Sequence, residues 1–202
     1  VVKEISDWTR DPVNKDYQLK EGQNIYRLTR DKDEKSADKE FMFATTNDDD
    51  RYLYRALFVN ALHSDGKSKQ YEKTMHLDKD INVASKETQI DAIMKVTGAD
   101  KRTATLMLGR VNYETVLDEL KRSKENVEFI NELKARGYDA MIDLNDSGWM
   151  GRVPVLLMDP GKYLKDDDIK ELSKRDKWKS LDNVSYNYNK HIAGKNYYKK
   201  EK

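Results

Sequence analysis

The residues best suited to chemistry in this sequence are an arginine, two threonines, a few tyrosines and two aspartates, well separated along the chain. Arg27 follows Tyr26 in an alternating segment, residues 24–29. A guanidinium there offers a charged fork of donors that matches phosphate oxygens, the plainer alternative being an ion pair with a nearby carboxylate. Thr45 and Thr46 close the run 40–46. At a strand end their hydroxyls suit capping of the helix that follows. Tyr52 and Tyr54 lie at the start of that helix and can stack on a planar ring, although Tyr54 also fits its apolar face. Asp143 and Asp146 stand where a short strand runs into a polar loop. Loops held by a rigid scaffold carry binding groups, so this loop is suited to bring carboxylates to the lip of a cleft, or it is simply the solvated loop of a core hairpin.

Other chemistries are poorly supplied. With no cysteine there is no disulfide, thiol nucleophile or cysteine-based zinc site. His63, His76 and His191 are far apart and form no zinc-ligand pattern. No Walker lysine motif, GxGxxG or nucleophile elbow occurs. Asp31, Asp33 and Asp38 fall in one charged loop, which lacks the glycine and terminal glutamate of a calcium-binding hand. Lysine and arginine (38) nearly balance aspartate and glutamate (37), and a net charge of +1 argues against a dedicated DNA-binding domain. The tail 183–202 interleaves tyrosine with lysine, which suits base stacking with phosphate contact but is commoner as a frayed terminus.

The elements that must position these groups follow from pattern. A chain of 202 residues with 37% apolar content buries one real core, beneath a very polar exterior of mean hydropathy −0.97. Residues 1–23 read as a docked arm with Trp8 as its anchor. Strands are expected over 24–29, 40–46, 71–77 and 81–83, with a helix from an Asn47 cap through Leu62. Residues 85–136 read as a helical insert: Ser85 caps a helix that Gly98 closes, Asp100 a short one to Leu108, and Asn112 a third. Ser123 caps a fourth, with Val127, Ile130 and Leu133 on one face. Gly137 then precedes a hairpin of two strands, 138–144 and 153–159, stopped by Asp159-Pro160-Gly161. Asp166-Asp167-Asp168 is read as the start of a helix reaching 177. The domain is thus residues 24–182, followed by the Lys/Tyr-rich tail.

Taken in order, Tyr26-Arg27 on a first strand, Phe43-Ala44-Thr45-Thr46 on a second and the GYDAMIDLND…VPVLLMDPGKYLK hairpin resemble the ADP-ribosyltransferase fold. More narrowly they resemble the transferase-type domains of bacterial phage, mobile-element and toxin proteins. The resemblance covers roughly residues 24–165, with 85–136 matched only loosely. It implies an α+β fold, an ADP-ribosyltransferase-like split β-sandwich with a helical insert. It also implies NAD as substrate, a macromolecular acceptor such as a protein, and an inhibitor or immunity partner. On this resemblance Arg27 and Tyr26 would hold NAD, Thr45 or Thr46 would position ribose, and Tyr52 would stack on nicotinamide. The family's glutamate near the final strands has no counterpart here. Asp146 or Asp143 takes its place, or the acid lies elsewhere, or the fold carries no transferase activity and binds a protein partner instead.

No apolar run approaches the ~18 residues of a membrane span. The chain opens Val1-Val2-Lys3 without methionine, as a processed product does, so a preceding segment would not be visible. Secretion, delivery from a bacterium and a cytoplasmic location all fit.

Overall fold

The computed structural model describes residues 14–61, 69–116, 122–144 and 153–173, together with 175, 176 and 179. Within these, two sheets and four helices make a mixed α+β domain. The larger sheet joins β1 (Tyr17–Leu19), β5 (Ile81–Ala84), β6 (Ala140–Ile142), β7 (Val155–Met158) and β3 (Phe41–Ala44), in that order. The smaller joins β2 (Asn24–Thr29), β4 (Tyr71–Leu77) and β8 (Leu164–Glu171).

Alternation explains how the layers stack. In β3, Met42 and Ala44 point with Ile142, Val155 and Leu157 into one core, which Ile25, Met75, Leu77 and Leu164 of the smaller sheet complete. Phe41 and Phe43, one residue out of phase, point with Met141, Leu156 and Met158 to the opposite face. There they meet Ile90 and Ile93 of α2 (Lys86–Thr97), Leu108 and Val111 of α3 (Lys101–Val116), and Phe129, Ile130 and Leu133 of α4 (Lys124–Ala135). A period of two thus serves two cores at once.

The helical stretch is a layer of the domain. β5 and β6 pair in parallel, Val83 opposite Ala140, and a parallel pair needs a long crossover, usually helical. Helices α2–α4 are that crossover. Their ends follow the capping residues: the Ser85 and Ser123 hydroxyls accept from Thr88 N and Asn126 N, and Gly98 closes α2 at φ 71°.

Four expectations are corrected. Asp166-Asp167-Asp168 belongs to strand β8, because pairing with β4 gives these carboxylates cross-strand partners: Asp166 meets Lys73 at 3.0 Å and Asp167 meets His76 at 2.7 Å. Asn112 caps no third helix; α3 runs unbroken through it, and its buried amide ties α3 to Gln89 and to the Leu144 amide. Val127 is exposed, while Asn126, Phe129, Ile130 and Leu133 form the inner face of α4. Within the expected arm, residues 17–19 are an edge strand of the larger sheet, paired with Ile81–Val83. The hairpin 138–159 forms as expected, Ala140 opposite Leu157, and ends at Asp159, the first of the stop residues.

Candidate functional site

Among the described residues, the two sheets touch through backbone where β2 meets the end of β3. Tyr26 and Thr45 exchange N–H···O bonds of 2.9 and 2.8 Å, so β2 crosses the end of β3 there. Helix α1 (Asp48–Ala61) starts three residues after Thr45, its first turn capped by Asn47, whose Oδ1 accepts from Asp50 N at 2.8 Å. The helix therefore lies over the crossing. A cleft of about 200 Å³ opens between them, lined by Tyr26, Arg27, Leu28, Phe43, Thr45, Arg51, Tyr54 and Glu72.

Arg27 forms one wall. Its Nε donates to Glu34 Oε1 at 2.7 Å, Nη2 to Glu34 Oε2 at 3.3 Å, and Nη1 to the Phe43 carbonyl at 3.0 Å. The guanidinium thus spans β2, the loop after it and β3. Burial pushes the Glu34 carboxyl up, but the Arg27 hydrogen bonds and charge, with Lys39 at 3.4 Å, outweigh it and hold Glu34 below the usual carboxylate range. The carboxylate partner anticipated for a strand arginine is present, and it is Glu34.

Arg51 and Glu72 form another wall. Glu72 is buried on β4 and accepts hydrogen bonds from both Arg51 and Arg55, which sit one turn apart on α1. Burial again pushes the carboxyl up, and the two guanidinia again win, holding it low. The Arg51 guanidinium stacks 3.9 Å above the Tyr26 ring, and the Tyr52 ring lies 5.9 Å from Arg51 and 5.4 Å from Arg55. Phe43 and Tyr54 meet edge to face at 5.0 Å and close the apolar side.

Of the residues nominated from the sequence, Tyr26, Arg27 and Thr45 line this cleft. Thr46 does not; its carbonyl accepts from Gln23 Nε2 at 3.2 Å. Tyr52 flanks the arginines without lining the cleft. Asp143 is buried at the end of β6, its N–H bonded to the Pro154 carbonyl at 2.8 Å. Because Ala44 and Ile142 both pair with Val155, Asp143 falls one residue beyond that row, level with Thr45 and two strands away, roughly 9–10 Å by sheet spacing. Asp146, like His63, His191, Trp8 and the Lys/Tyr tail, lies outside the described residues. Sequence reasoning missed Arg51, Arg55, Glu34 and Glu72. The i, i+4 spacing of the two arginines was legible, but the carboxylate they share depends on where β4 packs.

Among the described residues no group of three or more histidine, aspartate or glutamate side chains could hold a metal ion, and no helix is long and apolar enough to cross a membrane. The described residues therefore define a two-sheet α+β domain with an arginine- and tyrosine-walled cleft at the crossing of its sheets. Comparisons with protein-family models, with curated proteins and with solved structures found no match to this chain.

Proposed function

We propose that the cleft binds the nicotinamide end of NAD and that the domain is of ADP-ribosyltransferase type, passing ADP-ribose to a macromolecular acceptor in the manner of a bacterial toxin or phage-borne effector. The observation that carries this reading is that the neighbours Tyr26 and Arg27 of β2 meet Thr45, 19 residues on from Tyr26, in one concave site. The donor set fits the group: guanidinia for phosphate, a hydroxyl for ribose, aromatic rings for a planar base. A cleft of about 200 Å³ falls below the ~300–1,000 Å³ of sites for whole drug-sized ligands, so it seats part of a dinucleotide.

In this chemistry the bond between ribose C1′ and the nicotinamide nitrogen breaks, its electron pair leaving with nicotinamide. An acceptor nucleophile then bonds to C1′ and loses its proton. Positive charge builds on the ribose between these events, and a nearby carboxylate stabilises it. Asp143, level with Thr45, and Asp146, three residues further along the sequence, are the candidates for that role. The test is nicotinamide release from NAD by the parent chain, beside Arg27→Ala, Asp143→Asn and Asp146→Ala. Release that is lost in Arg27→Ala and in one aspartate variant supports the assignment; release surviving all three sinks these residues.

A second reading, a binding domain without catalysis, is favoured by one specific observation. The Arg27 guanidinium already bonds Glu34 and the Phe43 carbonyl through all three nitrogens. Absence of nicotinamide release, with cell lysate supplied as acceptor, selects this reading.

A further inference from the structure

Arg27 and Arg51 line the cleft, Arg55 lies one turn further along α1 beside Glu72, and the three differ in how far their donors are already used. Arg27 is anchored through Nε, Nη1 and Nη2. Arg51 commits Nε and Nη2 to Glu72, while its Nη1 reaches only exposed Asp48, at 3.5 Å. Arg55 commits Nε and Nη2 to the same carboxylate, and its Nη1 has no protein partner among the described residues. Each guanidinium offers five N–H donors, whereas Glu72 offers two oxygens. The two guanidinia share one buried carboxylate, with exposed Asp48 as a second counter-charge to Arg51, and N–H donors remain unused on both arginines.

The geometry is also braced. Glu72 is 4% exposed and fixed on β4 between Leu28 and Lys170, so it holds both guanidinia from below. The Tyr26 ring backs Arg51 at 3.9 Å, and the Tyr52 ring lies within cation–π range of both arginines. A planar fork held in place by a carboxylate and a ring loses little freedom when it takes up an anion, which is the condition for strong phosphate binding.

We propose that Arg51 and Arg55 form a phosphate seat on α1, aimed by Glu72 and flanked by Tyr26 and Tyr52, for the diphosphate of a nucleotide. This assigns phosphate recognition to the helix and leaves Arg27 as the brace that joins β2 to β3. It rests on reading the cleft as a nucleotide site and is independent of any transfer chemistry.

The experiment is calorimetric titration of the full chain with ADP and, separately, with adenosine, at low and at raised salt. ADP is expected to bind at least tenfold more tightly than adenosine, and the difference to shrink as salt rises. Arg51→Lys keeps a charge beside Glu72, and so the fold, but loses the fork; it and Arg55→Lys should each weaken ADP about tenfold and leave adenosine unchanged. Arg110→Lys, exposed on the outer side of α3, serves as the control and should change neither. Circular dichroism checks that each variant is folded. No ADP binding, equal affinity for ADP and adenosine, or ADP affinity untouched by both variants overturns the seat. Full nicotinamide release with unchanged ADP affinity in the two variants removes the seat and leaves the transferase reading. ADP binding that depends on both arginines, with no nicotinamide release by the parent, keeps the seat and removes the transferase reading.

Discussion

Replacing Glu72 by glutamine tests whether the cleft is held open by its own ion pairs. The Glu72 side chain is 5% exposed, and the substitution takes the shared carboxylate from Arg51, 21% exposed, and Arg55, 13% exposed. Removing one partner of a buried pair costs about 3–5 kcal/mol, because the remaining charge stays desolvated. Partial exposure of both arginines and the acceptor oxygen of glutamine put the loss at the lower end, about 3 kcal/mol. With a urea dependence of about 2 kcal/mol per molar, the unfolding midpoint should fall by roughly 1.5 M, read by far-ultraviolet circular dichroism. The pH dependence supplies an independent check. Folding lowers the Glu72 pKa from 4.5, so on acidification the unfolded chain takes up that proton first. The stability from the ionised group is complete above about pH 4.5 and disappears as pH falls through the lower, folded value. The gap between parent and variant should therefore be full at pH 7 and close progressively below 4.5. A midpoint shift under about 0.3 M would place the trio with exposed pairs worth ~0–1 kcal/mol, and a gap constant from pH 7 to 3 would refute the assignment to Glu72.

Other perturbations probe the framework around the site. Asn112→Leu leaves the Gln89 Oε1 and the Leu144 N–H without the partners they meet at 2.7 and 2.9 Å, so a loss of about 2–4 kcal/mol is expected. Hydrogen exchange should locate it at the Leu144 amide, and unchanged protection there would show that the amide matters elsewhere. In Gly161→Ala the new Cβ would sit 2.7 Å from Ala37 Cα, a backbone atom that cannot swing aside. The cost should be about 1–3 kcal/mol, a fall of several degrees in Tm. Gly109→Ala is the opposite case. Nothing lies within 4 Å of its Cβ, and in the interior of α3 alanine should stabilise by about 0.5–1 kcal/mol. If both glycine variants move Tm in the same direction, the steric account of residue 161 fails.

The sequence by itself determined what depends on neighbours a few residues away. Helix starts at Asn47, Ser85 and Ser123 were legible because a cap is a bond from one side chain to an amide three residues on. The last hairpin, the strand 71–77 and the stop at Gly98 were legible for the same local reasons, and so was the α+β class. Only the tertiary structure decided which local preference prevailed. A triple aspartate favours a helix start, yet it became strand β8 because Lys73, Ser36 and His76 on other elements supply its partners. Asn112 has the chemistry of a cap, yet it lies inside α3 because its amide serves a buried network reaching β6. The cleft shows the same division. Tyr26, Arg27 and Thr45 could be nominated singly, but their meeting at one crossing of strands depends on contacts 19 residues apart. The carboxylates were the least legible part. Glu34 and Glu72 look like any surface glutamate in a chain with 37% charged residues, and only packing that buries them against arginines gives them a role.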